Sequence, residues 1–316
     1  MSTSPAALPV ETPDPTSSTA ALARRLRPLQ VGVALQAFVL WVPVEKLFMS
    51  GIGFTAATIG IMAAVYAATV PLLEIPSGVA ADRWSRTRLM ALAGVALAAS
   101  TLIGGLSQGV GTYVVSAVFL GVYFAMASGT VDSVLYDTLL EATGSGETFD
   151  RWLGRIRAQE STSLVASAVL GGLVAGWLSP RATYFATVPV TLLSIVFLLR
   201  FREPQLHRSN TGTSIAEQTR HTMRAMTRGA TVRNAILLGA ATGMLLQAVF
   251  EFGPRWLTAV DAPAPLYGPY WAALVSTIGF GAGWRVASRG TDAARWSALP
   301  CSWQPHRSLW PSSPNS

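Results

Sequence analysis

Cysteine, histidine and charged residues are all scarce in this sequence. One cysteine and three histidines occur in 316 residues, which excludes a disulfide framework and a thiolate metal site. Only 12% of the residues are charged, against about 25% in an ordinary soluble domain. A soluble fold of this length needs more charge to cover its surface, and a disordered chain is rich in charge and poor in apolar residues. The composition therefore excludes both of these classes.

The motifs of an ATP-driven pump and of a metalloenzyme are also missing. No GxxxxGK phosphate-binding loop is present, and an ATP-driven machine would need one. The histidines stand at His207, His221 and His306, without HExxH spacing and outside every long apolar run. We therefore expect no catalytic residue, no metal and no cofactor, and we predict that the protein is not an enzyme.

Long runs without charge are what the sequence has instead. Hydrophobic residues make up 51% of the chain, and the mean hydropathy is +0.41. A helix that crosses a bilayer needs about 20 mostly apolar residues. The uncharged runs, the longest of them divided at its glycine-rich segment 104–109, predict eight membrane helices near residues 29–49, 55–79, 88–107, 111–139, 155–178, 181–200, 234–257 and 264–287. We therefore predict an all-α, polytopic membrane protein.

Shifts in composition divide the chain into five segments. These are a disordered cytoplasmic N-terminal tail (1–28), a six-helix transmembrane bundle (29–200), a basic cytoplasmic loop (201–233), a partial second bundle (234–289) and an atypical tail rich in tryptophan, serine and proline (290–316). The first tail contains several prolines and lacks the basic start and apolar core of a secretory signal.

Arginine is distributed unevenly between the two sides of the predicted membrane. If the N-terminus is cytoplasmic, the arginines before the first helix, between the second and third, between the fourth and fifth, and after the sixth all lie inside. Such an excess on the cytoplasmic side is usual in membrane proteins. We predict a multi-pass protein of the plasma membrane with a cytoplasmic N-terminus. Because these arginines are spread over four loops, the net charge of +7 does not indicate a nucleic-acid partner.

A charged motif lies between the second and third predicted helices. It reads Gly78-Val79-Ala80-Ala81-Asp82-Arg83-Trp84-Ser85-Arg86-Thr87-Arg88. This motif resembles the signature of the major facilitator superfamily, G-x-x-x-D-R-x-G-R-R/K, with serine and threonine at two of the usual positions. The segment 129–137, which contains Asp132 and Asp137, is similar to the cytoplasmic end of that family's fourth helix. The resemblance covers roughly residues 29–289.

The resemblance implies a secondary transporter, in which two halves expose a midplane site to each side of the bilayer in turn. The implied cargo is a small organic solute, drug-like efflux substrates included, and protons are the expected but unproven coupling ion. The implied cytoplasmic gate consists of Gly78, Asp82, Arg83, Arg86, Arg88, Asp132, Asp137 and Arg155. A simpler interpretation is that the two later acids only pair with Arg86, Arg155 or Arg157 near the interface. The fifth predicted helix lacks the proline of the antiporter signature, which weakens the expectation of proton-coupled drug export.

Polar residues within the predicted helices are candidates for the substrate or ion pathway. They are Gln36, Glu74, Tyr136, Gln247 and Glu251. Gln36 either lines the cavity or forms a hydrogen bond between helices. Glu74 either forms a structural pair or handles protons. Glu251 shares a helix face with Arg255, one turn later, and we expect these two to pair near the outer surface.

Two expectations concern the chain as a whole. A full family member has twelve helices, and the change of character after Arg289 resembles a shifted reading frame. We therefore expect a truncated transporter that is inactive alone. The alternative function is a non-transporting membrane sensor or scaffold, which a binding partner without solute flux would favour.

Overall fold

The computed structural model describes residues 15–83, 85–204 and 230–277, and every regular element in these ranges is helical. The helices are α1 (Pro15–Gln36), α2 (Glu45–Gly51), α3 (Ala56–Arg83), α4 (Arg86–Leu106), α5 (Val110–Ala127), α6 (Thr130–Thr143), α7 (Phe149–Trp177), α8 (Pro180–Arg200), α9 (Ala230–Ala259) and α10 (residues 267–277), with 3₁₀ turns at Val42–Val44 and Ala264–Leu266. This agrees with the predicted all-α class. Most of the predicted loop 201–233 and all of the predicted tail 290–316 lie outside the described residues.

Helix α4 lies at the centre of the first bundle. It packs between α5 and α8; α3 packs on the far side of α5, and α1 packs against α8 and α7. Small residues along α4 make this close packing possible. At Gly94, a Cβ atom would lie 2.8 Å from Ile195 Cγ1 and 2.9 Å from Gln36 Nε2, so the approach of α8 and α1 requires glycine there.

The first predicted membrane helix, 29–49, is broken in the structure. Helix α1 ends at Gln36, and helical structure returns only at the turn that contains Pro43. Pro43 stands in the first turn of this short helix, where its missing N–H group needs no helical partner. The N–H group of Leu40, which the break leaves without a helical partner, donates to Thr187 Oγ1 on α8 at 3.1 Å. The neighbouring helix therefore satisfies the break, as burial in a bilayer requires.

The fourth predicted helix, 111–139, is also divided. Helix α5 ends at Ala127 and α6 begins at Thr130. Between them Gly129 has a φ of 65°, in the left-handed region, which glycine adopts without steric cost. The acids that the sequence placed on one long helix therefore lie on a separate, shorter helix.

The predicted disordered tail, 1–28, is wrong for its second half, because α1 begins at Pro15. Proline is well tolerated in the first turn of a helix, where its missing N–H group is not needed. Leu22, Leu26, Leu29 and Val33 follow at helical spacing and are buried in a core shared with α6, α7 and α8. This apolar face explains why the helix extends outward beyond the predicted span.

Four segments of the described chain are long and apolar enough to cross a membrane. They are Ala56–Leu73, Arg86–Leu106, Val110–Thr143 and Pro180–Arg200. These segments correspond to the second, third, fourth and sixth predicted helices. The first predicted span is interrupted, and charged residues occupy the start of α7, so neither forms one uniformly apolar helix.

Candidate functional site

The predicted gate loop is bound to two other parts of the first bundle. Arg86 Nη1 lies 2.5 Å from Asp137 Oδ2 on α6. The backbone N–H group of Arg86 donates to Glu203 Oε1 at 2.7 Å, and the Ser85 hydroxyl donates to the other carboxylate oxygen of Glu203. We call this group, Ser85, Arg86, Asp137 and Glu203, the Arg86 cluster. It joins the start of α4 to α6 and to the segment that follows α8.

A second set of ion pairs joins α6 to α7 and α1 near the same end of the bundle. Arg157 lies 2.8 Å from Asp132 and 2.9 Å from Glu160, and Arg25 lies 3.0 Å from Glu141. Arg157 remains half exposed, and ion pairs of this kind contribute about 1 kcal/mol or less. Each described acid of the predicted gate thus pairs with an arginine, as the simpler interpretation proposed.

The remaining predicted gate residues contribute less to these contacts. Arg155 does not pair with Asp132 or Asp137; its guanidinium carbon lies 4.9 Å from the centre of the Trp152 ring. Arg88 is exposed, and its backbone N–H group donates to Ser85 Oγ at 3.2 Å. Glu74, Gly78, Asp82 and Arg83 belong to the last turns of α3, and their side chains lie outside the described part of the structure.

A buried group of charged and hydrogen-bonding side chains lies at the opposite end. Lys46 is 3% exposed, and its Nζ atom lies 2.9 Å from Glu45 Oε2 and 2.5 Å from Glu251 Oε1. The Tyr113 hydroxyl donates to the other Glu45 oxygen at 2.8 Å and lies 2.7 Å from the Tyr184 hydroxyl. These five residues, Glu45, Lys46, Tyr113, Tyr184 and Glu251, form what we call the Lys46 cluster. They come from α2, α5, α8 and α9, so the cluster ties α9 to the first bundle.

The expected pair of Glu251 with Arg255 is wrong, because Glu251 pairs with Lys46. The two residues of the expected pair share one face of α9, but Lys46 is nearly excluded from solvent and lies opposite that face. Lys46 was not among the site residues that the sequence predicted. The adjacent Glu45 and Lys46 at the end of an apolar run were the available signal, since charges at membrane depth usually have partners.

A glycine seam on α7 provides a second contact between the bundles. At Gly172, a Cβ atom would lie 2.8 Å from Gly268 N, and at Gly176 one would lie 2.6 Å from Pro265 Cγ. Any side chain at these positions would push away the segment that begins α10. The small residues of α7 therefore pack tightly against a segment of the second bundle.

The other predicted pathway residues lie at different places. Gln36 is 7% exposed, and its Nε2 atom donates to the Met90 carbonyl on α4 at 3.4 Å. Of the two alternatives for Gln36, this contact agrees with a hydrogen bond between helices. Tyr136 is 44% exposed, and its ring meets the Phe149 ring edge-on at 5.8 Å. The Gln247 side chain lies outside the described part of the structure.

A groove between α1 and α7 was missed by sequence reasoning. Its volume is about 340 Å³, and its lining includes Gln30, Val31, Ala34, Gln159, Thr162 and Ser163. Gln30 and Gln159 lie at the edges of apolar runs, where a polar side chain attracts little notice. No group of three or more acidic, histidine or cysteine side chains that could hold a metal occurs in the residues that the structure describes.

The chain resembles known transporters in sequence and in fold. It is 23% identical over 161 residues to the class B tetracycline resistance protein of Escherichia coli, which covers 51% of this chain and 38% of that protein. A solved bacterial homologue of the human lysosomal transporter Spinster, inward-facing and unoccupied, matches 92% of this chain and 66% of its own chain, with a TM-score of 0.66 and 17% identity. The nucleoside transporter NupG matches 87% of this chain and 68% of its own, with a TM-score of 0.64 and 13% identity. The chain thus spans well under half of the curated relative and about two thirds of these solved structures.

The family match covers most of the chain, residues 28–302. It runs past Arg289, the position at which the sequence predicted that the resemblance would end. The match confirms the family that the motif between the second and third predicted helices indicated, and this is a family of membrane transporters rather than of enzymes. This chain belongs to the Major Facilitator Superfamily.

Proposed function

We propose that this protein is a secondary transporter that moves a small organic solute across the membrane by alternating access. The observation that carries the proposal is the contact between the two bundles at the Lys46 cluster and the glycine seam. Among the described residues, every ion pair near the Arg86 cluster stays within the first bundle. A bundle pair joined at one end is what one state of an alternating-access transporter requires.

The cargo class is supported by the relatives. The curated relative is a tetracycline resistance protein, and NupG is a nucleoside transporter. Both names denote small organic molecules, so we propose a solute of this kind, with export of drug-like molecules included. The Asp137 and Arg86 contact would latch the gate loop during the cycle, together with Asp82, Arg83 and the other predicted gate residues.

The Lys46 cluster supports coupling to protons. Two carboxylates, Glu45 and Glu251, share the one ammonium group of Lys46. When the bundles separate at this end, Glu251 moves with α9 and leaves that ammonium group. An unpaired carboxylate is costly at membrane depth, and a bound proton removes its charge. Glu251 is therefore our proposed site of proton uptake during opening.

The proposed location is the plasma membrane, with the N-terminus in the cytoplasm. Arg24, Arg27, Arg88 and Arg151 are exposed, and they belong to segments around the Arg86 cluster. An excess of arginine favours the cytoplasmic side. The bundles would then be joined on the outer side.

Solute flux tests the transport proposal. The 316-residue chain would be reconstituted in liposomes, and uptake of labelled tetracycline and uridine would be measured with and without a proton gradient. Flux that Glu251→Gln uncouples from the gradient would support the proposal and contradict the expectation that this chain is inactive alone. Solute binding without flux would support that expectation. Neither flux nor binding, together with a specific protein partner, would favour the sensor or scaffold alternative.

A further inference from the structure

The carboxylate of Glu203 binds the first turn of α4. Its Oε1 atom accepts the backbone N–H group of Arg86 at 2.7 Å, and its other oxygen accepts the Ser85 hydroxyl. The first N–H groups of a helix have no partner within the helix, and a negative charge is favourable at that end. Glu203 therefore stabilises the start of α4, although 117 positions separate it from Arg86 in the sequence.

Ser85 makes this contact possible. It is the N-cap residue of α4, and its Oγ atom accepts the backbone N–H group of Arg88 at 3.2 Å. A hydroxyl group that accepts one hydrogen bond can still donate its proton, and here the proton goes to Glu203. The family signature has glycine at this position, and glycine has no hydroxyl group for either bond. Serine therefore gives this chain a contact that the usual motif residue cannot form.

Glu203 and Asp137 bind different parts of Arg86. Glu203 accepts from the backbone N–H group, whereas the guanidinium group lies 2.5 Å from Asp137 Oδ2. A guanidinium group on a fixed backbone has fewer positions to adopt, so less conformational entropy is lost when it pairs. Glu203 therefore favours the pair of Arg86 with Asp137 by fixing the backbone of Arg86.

Glu203 also belongs to the segment that links the two bundles. Helix α8 ends at Arg200, and α9 begins at Ala230, so residues 201–229 are the covalent connection between the bundles. We call them the connecting segment. The bonds from Glu203 to Ser85 and Arg86 hold the start of this segment on the first bundle. One carboxylate thus holds both the connecting segment and the first turn of α4.

We propose that Glu203 is a positioning residue of the gate and that it acts through the Ser85 hydroxyl and the backbone of Arg86. It keeps the start of the connecting segment and the pair of Arg86 with Asp137 in one arrangement. The inference rests on the proposed transport function, because a gate residue should change the rate at which the bundles exchange between their two states.

A double-mutant cycle of Glu203→Gln and Asp137→Asn tests the positioning role. The measurement is chemical denaturation of the whole chain in detergent. We expect Asp137→Asn to shift the denaturation midpoint about half as much in the Glu203→Gln protein as in the unchanged one, because the pair with Arg86 is already weakened there. Two carboxylates that only repel each other predict the opposite sign, since removal of one charge strengthens the remaining pair. Additive shifts, or a larger shift in the Glu203→Gln protein, would overturn the proposal.

Variants at Ser85 test the contact itself. Ser85→Thr keeps the hydroxyl group and the cap, whereas Ser85→Gly introduces the residue of the family signature and removes both. Glu203→Gln should lower the denaturation midpoint of the Ser85→Thr protein about as much as that of the unchanged protein, and should lower that of the Ser85→Gly protein much less. The same loss in both Ser85 backgrounds would contradict the contact.

Solute flux tests the role in the gate. In liposomes that contain the whole chain, Glu203→Gln should lower the maximal rate of tetracycline or uridine uptake about tenfold, the effect of about 1.4 kcal/mol. The concentration for half-maximal uptake should not change, because a positioning residue does not touch the solute. Glu147→Gln, the same change at an exposed glutamate between α6 and α7, should transport like the unchanged protein.

The outcomes separate this inference from the transport proposal. Equal maximal rates for Glu203→Gln and Glu147→Gln, or a change only in the concentration for half-maximal uptake, would refute the gate role. Flux without coupling in the double-mutant cycle would support transport and refute the positioning role. Coupling in the cycle without any flux by the unchanged chain would refute transport and still support Glu203 as the residue that positions Arg86.

Discussion

Lys46 Nζ lies 2.5 Å from Glu251 Oε1, although 205 positions separate the two residues in the sequence. Lys46 belongs to the first bundle and Glu251 to the second, so this ion pair is a bond between the two bundles. Glu45 and Tyr113 complete its hydrogen bonding. Removing one partner of a buried ion pair leaves an uncompensated charge and costs about 3–5 kcal/mol.

Glu251→Gln should loosen the contact between the bundles at the Lys46 cluster. The variant leaves the glutamate–lysine pair of the first bundle intact but removes the charge on α9. Spin labels at Ser50 and Ala259, both exposed, would report the distance between α2 and α9 in a protein with Cys301→Ser. We expect a shift toward longer and broader distances. Arg255→Gln, one turn along the same helix, is the control, and a similar shift in the control would indicate that Arg255 also holds the contact.

Tyr113→Phe should destabilise the first bundle. The hydroxyl group lies between a Glu45 oxygen and the Tyr184 hydroxyl, so its loss leaves buried groups without a partner and costs about 1–3 kcal/mol. The measurement is the unfolding temperature in detergent. Tyr136→Phe is the matched control because that residue is 44% exposed. Equal unfolding temperatures for the two variants would contradict the buried hydrogen-bond chain.

Gly172→Ala should disturb the seam between α7 and the start of α10. The added Cβ atom would lie 2.8 Å from a backbone nitrogen, that of Gly268, and backbone cannot rotate away as a side chain can. Overpacking of this kind costs about 1–3 kcal/mol. Gly154→Ala on the same helix meets no atom within 4 Å and should be neutral or stabilising by up to about 1 kcal/mol. The unfolding temperatures of both variants check this, and a stable Gly172→Ala protein would show that the bundles are not packed here.

Asp137→Asn and Asp132→Asn should differ, although the sequence assigned both aspartates to one gate. The Asp137 side chain is 9% exposed and pairs with Arg86, so its neutralisation should cost about 3 kcal/mol. The Asp132 side chain is 41% exposed and pairs with a half-exposed arginine, so its neutralisation should cost about 1 kcal/mol or less. Chemical denaturation of the two variants measures the difference. Equal losses would mean that burial does not separate the two pairs.

Local patterns were enough to predict the family and most of the helices. Uncharged runs identify membrane helices because the bilayer excludes charge over a fixed length, and the segment Gly78–Arg88 is continuous in sequence. The pairing of gate acids with arginines was also predictable, because opposite charges at the same end of a bundle form ion pairs. The sequence did not predict which arginine pairs with each acid, since Arg155 stacks on Trp152 and does not pair with either aspartate.

Features that depend on packing between distant segments were not predictable. The partner of Glu251 depends on how α9 docks against α2, and Arg255 was the nearer choice along the chain. The break after Gln36 requires a hydroxyl on α8 to receive the N–H group of Leu40. The groove lies between α1 and α7, and no spacing within either helix predicts a groove between the two.

The interruption of the first span has a mechanical consequence. The N–H group of Leu40 donates a hydrogen bond to Thr187. The carbonyl oxygen of Leu40 is so close to Gly171 that a Cβ atom there would lie only 2.1 Å from it. The bend is therefore anchored to α8 and α7 at the same point. Helix α2, which carries Lys46, follows this fixed point as a short helix. Helix α1 precedes it and remains packed against α8 and α7. A pull from α9 should thus tilt α2 about residues 37–41 and leave the groove between α1 and α7 undistorted.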